Sequence, residues 1–266
     1  LIRMAVARVR LQEPLPTETR EVNREALVIG GGVAGMNAAL SLAQQGYRAC
    51  LIEREAELGG NLRHIYYDLD GKDVQAYLCD LIAKVESDPQ IGVLKRTTLV
   101  DCAGSAGAFT SLLQGPDGQH ALQHGVIIIA TGGQENRPPD YLLGQHPSIL
   151  TQRDLEKRIV EGDSTLRQAK EIVMIQCVGP AEKYCSRLCC SAALKNSLKI
   201  KELNPDCAVY VLYKDIRAYG FREQYYTQAR EQGVVFIRYD DDHLPQVSIE
   251  NGLVVQVREQ LLARDI

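Results

Sequence analysis

Four cysteines, Cys177, Cys185, Cys189 and Cys190, fall within fourteen residues, while Cys50, Cys79, Cys102 and Cys207 stand apart. Where no secretory segment is read, clustered cysteines point to metal or redox chemistry before a disulfide scaffold. A helix over Cys185 to Leu203 would set Cys185 and Cys189 one turn apart on one face, with Cys190 beside them. The seven-residue loop after Cys177 is long enough to return it to the other three. A helix N-terminus favours the thiolate, the form that binds metal. Four thiolates suit a [4Fe–4S] cluster or zinc. Zinc sites use separated Cys-x2–4-Cys knuckles, which a vicinal Cys-Cys pair does not supply. A redox-active dithiol and four small buried hydrophobes are the remaining readings of the same residues.

A second group could hold phosphate. Gly30-x-Gly32-x-x-Gly35 lies between the apolar run Ala26-Leu27-Val28-Ile29 and a small-residue stretch with helical character. The first glycine permits the tight turn, the second lets backbone approach a pyrophosphate, and the third lets helix and strand pack closely. The helix N-terminus then offers free N–H groups and its dipole. Glu53, twenty-one residues after Gly32, closes the next strand where a carboxylate can accept from a ribose diol, and Arg54 follows it as a further cofactor contact.

These residues need elements to hold them, and the apolar pattern supplies them. Around the glycine loop it reads as a strand at 26–29, a helix from about Ala34 to Gln45 and a strand at 48–53. A helix from about Asp73 to Ser87 follows, with apolar residues at Val74, Tyr77, Leu78, Leu81, Ile82 and Val85. Segments near 91–102, 107–114 and 121–130 read as a β-meander, with Gly115-Pro116-Asp117-Gly118 as one turn. The alternation then restarts: strand 171–176, helix 185–203, strand 208–213, helix 221–232, strand 234–237, and a hairpin of 245–250 with 253–259 around Asn251-Gly252, a pair suited to a type I′ turn. The expected fold class is α/β, two tandem Rossmann-like doubly wound units with ligands at the carboxyl ends of the strands. The expected organisation is a connector at 1–25, a dinucleotide-binding domain with its meander at 26–165, and a second Rossmann-like domain carrying the cysteines at 166–266.

Composition narrows the function. The 266 residues are 45% hydrophobic and 24% charged, with mean hydropathy −0.17, so the chain reads as an ordinary globular protein without a membrane span. Thirty basic against thirty-four acidic residues give a net charge of −4, which offers no attraction for nucleic acid or anionic lipid. The opening Leu1-Ile2-Arg3-Met4-Ala5-Val6-Ala7-Arg8 is no signal peptide, and its start without an initiator methionine reads as a piece of a longer chain in the reducing cytoplasm. The second unit should bind no NAD(P), because Pro180, Glu182 and Tyr184 stand where a phosphate cradle needs glycines.

Two such units in tandem resemble the two-dinucleotide-binding-domain flavoproteins. Leu58-Gly59-Gly60-Asn61 is similar to the segment that wraps the flavin end in that class, and Val126 to Gly133, with Ala130-Thr131-Gly132, resembles its internal FAD signature. The resemblance implies FAD, with Gly60, Asn61, Ala130, Thr131 and Gly132 as further contacts. It fails on spacing for the glutathione-reductase and thioredoxin-reductase kinds, since no cysteine lies between Cys50 and Cys79 and Cys185 is four residues from Cys189.

Gln176-Cys177-Val178-Gly179, Tyr184-Cys185-Ser186-Arg187-Leu188-Cys189-Cys190, Ile200-Lys201-Glu202-Leu203-Asn204-Pro205-Asp206 and Tyr213-Lys214-Asp215-Ile216-Arg217-Ala218-Tyr219-Gly220 resemble the A-type subunits of the heterodisulfide reductase family. The likeness runs from about residue 25 to the end. It implies FAD, a [4Fe–4S] cluster on Cys177, Cys185, Cys189 and Cys190, and Lys195 reaching toward the flavin ring. It also implies electron transfer, by flavin-based bifurcation toward ferredoxin and a heterodisulfide. The implied partners are the other subunits of such a complex, a hydrogenase or formate dehydrogenase input subunit, ferredoxin, and a second copy in a homodimer. The alternative within the likeness is a non-bifurcating relay flavoprotein of a quinone-linked complex. The family's extra ferredoxin-type Cys-x2-Cys-x2-Cys runs have no counterpart here, and the chain ends before the segment that closes over the flavin, which implies weakened FAD binding.

Overall fold

The computed structural model describes residues 1–13, 21–179, 185–250, 252–260 and 263–266. They form two compact units interleaved along the chain: Leu1–Gly31, Gly35–Glu57 and Val85–Ala130 in the first, Gly32–Ala34, Leu58–Lys84 and Thr131–Ile266 in the second.

The chain begins with α1 (Ile2–Arg10), then runs through β1 (Ala26–Ile29), α2 (Val33–Gln44), β2 (Ala49–Ile52) and α3 (Val74–Ser87). Next come β3 (Ile91–Leu94), β4 (Thr98–Ser105), β5 (Ala108–Gly115), β6 (Gly118–His124) and β7 (Val126–Ile129). The first unit holds a parallel sheet in the order β3-β2-β1-β7 and an antiparallel sheet β4-β5-β6. β1 and β2 are short and entirely apolar because both faces are covered, and Leu27, Val28 and Leu51 are wholly buried. Each such side chain contributes roughly 2 kcal/mol of burial. β7 is an edge strand.

Two expected segments divide between these sheets. The run at 91–102 splits into β3 and β4, and the run at 121–130 into β6 and β7. At the first break Arg96 takes φ +53 and donates its N–H to the Glu55 carbonyl. At the second, a Cβ on Gly125 would lie 1.9 Å from the Asn23 carbonyl oxygen, so only glycine lets the strand pass the 21–25 segment. Near the start of the chain the Asn23 N–H donates to the Gly107 carbonyl and the Gly125 N–H to the Glu25 carbonyl, and residues 2–10 form a helix with no buried residue.

The second unit continues with α4 (Gln152–Glu161), α5 (Ser164–Gln168), β8 (Glu171–Ile175), α6 (Leu188–Leu203), β9 (Ala208–Tyr213), α7 (Glu223–Glu231), β10 (Val235–Arg238), β11 (Gln246–Ile249) and β12 (Leu253–Gln256). Its sheet is parallel in the order β10-β9-β8. Ala193, Leu194 and Ile200 of α6 share a buried core with Val209 and Val211 of β9. The hairpin β11-β12 is antiparallel, but its second strand ends at Gln256: Val257 is buried, and Arg258–Glu259 pairs instead with Arg264–Asp265. Asn251, the first turn residue of the expected type I′ pair, lies outside the described residues. Among the described residues no helix is long and apolar enough to cross a membrane.

Candidate functional site

The turn after β1 is held by a carboxylate. Gly30 takes φ +109, and the next N–H, of Gly31, donates to Glu53 Oε2 at 2.7 Å. The other oxygen, Oε1, accepts from the Glu55 N–H at 2.9 Å, and Glu53 is buried. A carboxylate bonded this way fixes the loop while each oxygen keeps a lone pair for a further donor. A Cβ on Gly35 would fall 1.9 Å from the Gly30 carbonyl oxygen, so the third glycine is required by packing. A Cβ on Gly32 would meet nothing within 4 Å, so packing does not require glycine there. No acidic residue occupies the first turn of α2. The Ala130 N–H donates to the Ile29 carbonyl at 2.8 Å, fixing the start of Ala-Thr-Gly at the end of β1. Arg54 is exposed and pairs with Glu55 at 3.2 Å.

In the second unit a Cβ on Gly60 would lie 3.3 Å from the Gly32 Cα, and Gly32 and Gly59 form a parallel bridge. Asn61 donates to the Gly133 carbonyl at 2.8 Å, just past Thr131 and Gly132, which are exposed with Gly132 at φ +66. The structure thus gathers Gly32, Gly60 and Asn61 with the 131–133 turn.

Cys177, Cys189 and Cys190 lie together beyond the carboxyl ends of β8 and β9. Cys177, two residues past β8, takes φ +58, and its sulfur lies 3.8 Å from the Asp215 carbonyl oxygen. The Cys190 sulfur lies 3.9 Å from the same oxygen and accepts the Arg217 N–H at 3.4 Å. Cys190 donates to the Cys189 sulfur, which pulls Cys189 down to about 6 against burial, helped by backbone N–H groups of Cys177, Cys190 and Cys189. The same bond, with burial, pushes Cys190 far up.

Cys185 departs from expectation. α6 starts at Leu188, not at Cys185, because Arg187 sits at φ +62 and breaks the helix. Cys185 and Cys189 are therefore not neighbours on one helical face. Cys185 instead acts electrostatically on Arg217, after the Asp215 carboxylate, to hold the guanidinium charge. Residues 180–184, including Pro180, Glu182 and Tyr184 of the loop, lie outside the described residues. Among the described residues no group of three or more His, Cys, Asp or Glu side chains is arranged to hold a metal ion.

Lys195 lies in a nearly buried ion pair. Its ammonium pairs with Glu156 at 2.7 Å, donates to the Tyr67 carbonyl at 2.9 Å, and lies over the Tyr67 ring. Both charged side chains are nearly buried, at 10% and 4% exposure, and Glu156 Oε1 also accepts the Tyr66 N–H at 2.6 Å.

Residues 24–175, more than half of the chain, match the family model described as pyridine nucleotide-disulphide oxidoreductase. The chain belongs to this family. As a pyridine nucleotide-disulphide oxidoreductase it carries the first unit's glycine loop inside the matched span and the cysteine set just beyond it. It is similar over 98% of its length to the A-type subunit of the Ferredoxin/F(420)H(2)-dependent CoB-CoM heterodisulfide reductase of Methanosarcina acetivorans, at 29% identity and 46% of that protein. It is also similar to an A-type iron-sulfur subunit of the CoB-CoM heterodisulfide reductase of Methanopyrus kandleri, at 28% identity over 98% of this chain and 54% of that one. The chain spans about half the length of these relatives. They bear out the resemblance read from the Cys-x3-Cys-Cys element and its neighbours.

Among solved structures, the fold is like that of thioredoxin reductase of Lactococcus lactis, with a TM-score of 0.54 at 16% identity over 91% of this chain and 73% of that one. It is also like the HOCl-induced flavoprotein disulfide reductase RclA of Escherichia coli, with a TM-score of 0.52 at 18% identity over 91% of this chain and 54% of that one.

Sequence reasoning missed four groups around this oxidoreductase's cysteine-bearing unit. Glu156 sits beside Leu155 and Ile159, and an acid flanked by core positions was the available signal. Asn196 accepts from the Tyr67 hydroxyl at 2.9 Å and donates to Gln152, completing the buried network. Asp215 contributes through its main-chain oxygen, which no residue type reveals. Arg217 lies in the signature stretch, where its type alone gave it no role.

Proposed function

We propose that this chain is the FAD- and [4Fe–4S]-bearing part of an electron-transfer oxidoreductase, of the kind formed by the A-type subunits of heterodisulfide reductase, acting in the cytoplasm. FAD would supply two-electron chemistry that can be divided into single electrons, and the cluster would carry those electrons one at a time. The observation that carries the reading is the gathering of thiols about one carbonyl oxygen at the sheet edge where a second dinucleotide loop would otherwise sit. A four-iron cubane spreads its thiolates farther apart than a single ion does. The vicinal Cys189-Cys190 pair departs from the separated knuckles of structural zinc, which favours the cluster over zinc.

The residues do separable work. Glu53 holds the Gly31 N–H and so presets the turn, Gly32 leaves backbone open to a pyrophosphate, and the acid-free N-terminus of α2 favours its charge. The resemblance implies Gly60, Asn61, Thr131 and Gly132 as further FAD contacts. At the other centre Cys177, Cys185, Cys189 and Cys190 would be the ligands. Cys189 favours the thiolate, while the Arg217 N–H holds the Cys190 sulfur in place. The glycine-poor turn after β8 binds no NAD(P). In the complete protein, electrons from a hydrogenase or formate dehydrogenase partner would be split between ferredoxin and a heterodisulfide, with two copies of the chain forming a homodimer.

The test is anaerobic reconstitution with iron, sulfide and FAD, followed by iron analysis and visible spectroscopy. Cys189→Ser should remove most of the iron, and Cys79→Ser, an exposed thiol on α3, should not. Equal iron in the two variants would overturn the cluster.

A further inference from the structure

His124 ends β6 at the point where the chain leaves the antiparallel sheet for β7 of the parallel one. It is fully buried, and so is Ser111 of β5. The His124 Nε2 lies 2.8 Å from the Ser111 Oγ, and its Nδ1 lies 3.2 Å from the carbonyl oxygen of Val126, the first residue of β7. A carbonyl only accepts, so Nδ1 carries the hydrogen, and Nε2 accepts from the Ser111 hydroxyl. The ring stacks on Phe109, with centroids 5.7 Å apart. Around it the main chain is laced together: the Asn23 N–H donates to the Gly107 carbonyl, the Gly107 N–H to the Gly125 carbonyl, and the Gly125 N–H to the Glu25 carbonyl. One neutral imidazole therefore ties β5 to the start of β7 at the seam between the two sheets.

We propose that His124 is an acid-sensitive latch: neutral, it joins the β4-β5-β6 meander to the start of β7, and protonation opens that join. A proton taken from solvent binds Nε2, which then donates, and the Ser111 hydroxyl must turn its own hydrogen away from the ring. Ser111 has no second side-chain partner among the described residues, so that hydrogen is stranded in a fully buried site, and a positive charge is added beside it. The charged group that bears on the ring is Glu25, on the segment before β1. Burial holds the imidazole below its ordinary range, and it prevails over the Val126 carbonyl and the Glu25 carboxylate, which both favour the proton. The unfolded chain therefore binds this proton more readily than the folded one, so the latch stabilises at neutral pH and that stability is lost as the pH falls. The strand it releases is the one that runs beside β1 and ends at Ala130, whose N–H bonds the Ile29 carbonyl.

The experiment compares the full wild-type chain with His124→Gln by urea denaturation at a series of pH values. Between about pH 6.5 and pH 5 the folded-to-unfolded ratio of the wild type should fall relative to that of His124→Gln, by up to about tenfold per pH unit, the limit for one proton. Above about pH 7 the two should differ by a constant factor. Ring nitrogen spectra of the wild type, labelled with 15N-histidine, report the tautomer directly: one histidine should carry its hydrogen on Nδ1 and titrate below about 6.5. Amide exchange, corrected for its intrinsic rate, locates the opening. Protection in β6 and β7 should fall with pH ahead of that in β8, β9 and β10. Parallel pH profiles in the two proteins overturn the latch, and so does a loss of protection spread evenly over both sheets. If His124→Gln does not fold, the wild-type spectrum decides, and the absence of an Nδ1–H histidine titrating in the acid range overturns the proposal.

Discussion

The turn after β1 and the turn after β8 each lead from a strand of a parallel sheet to a helix, and they are built on opposite plans. The first is three residues long, carries its own glycines, and is closed by a carboxylate two bonds deep in its hydrogen-bonding, Glu53 to Gly31 and Glu55. The second runs from Gln176 to Arg187, carries thiols, and is pinned at both described ends by non-glycine residues with positive φ, Cys177 and Arg187. Topology puts a ligand at the carboxyl edge of either sheet. The side chains of the turn decide whether backbone N–H groups or sulfur meet it. Each unit also spends one buried carboxylate on order, Glu53 inside its turn and Glu156 at a remove, through Lys195 of the helix that bears Cys189 and Cys190.

The largest effect expected tests that remote anchoring. Glu156→Ala strands the Lys195 ammonium and two backbone N–H groups in a buried site, a loss of about 3–5 kcal/mol. Urea denaturation should show it, and a Glu156→Met, Lys195→Met double variant should recover most of it. An exposed-pair value, under about 1 kcal/mol, would mean that the second turn is as self-sufficient as the first.

The middle effect tests the first turn. Gly35→Ala places a methyl 1.9 Å from a backbone oxygen that cannot move without β1, so stability should fall by about 1–3 kcal/mol. FAD affinity, followed by flavin fluorescence, should fall by about tenfold or more, since about 1.4 kcal/mol of loop distortion is enough. Unchanged affinity would show that the loop does not dictate what binds.

The smallest concerns Asn61, whose amide joins the Gly133 carbonyl at an exposed site. Asn61→Ala should cost about 1 kcal/mol or less in the same denaturation assay, because water replaces the lost donor. A larger loss would place this bond among the determinants of the 131–133 turn.

The same contrast explains what can be read from the chain. The glycine loop is legible because its glycines, flanking apolar strand and acid each carry a separate local requirement that one sequence window displays. The parallel sheets are legible from alternating apolar runs such as Ala26–Ile29 and Ala208–Tyr213. The start of α6 is not, since nothing in Tyr184-Cys185-Ser186-Arg187 marks a residue that will adopt the left-handed region; arginine does so only under tertiary constraint. The division of 91–102 and 121–130 between two sheets is equally hidden, because strand-forming residues continue through both breaks. The 90-residue reach from Tyr66 to Glu156 has no local trace at all.

β7 bears on behaviour outside the cell's chemistry. It ends its sheet with a row of valine and isoleucine, and Val126 and Ile129 are 47% and 75% exposed. An apolar strand edge offers unpaired amides to any other extended chain, including another molecule of the same kind. Self-association of this span is therefore expected to begin at that edge, on the four residues of β7.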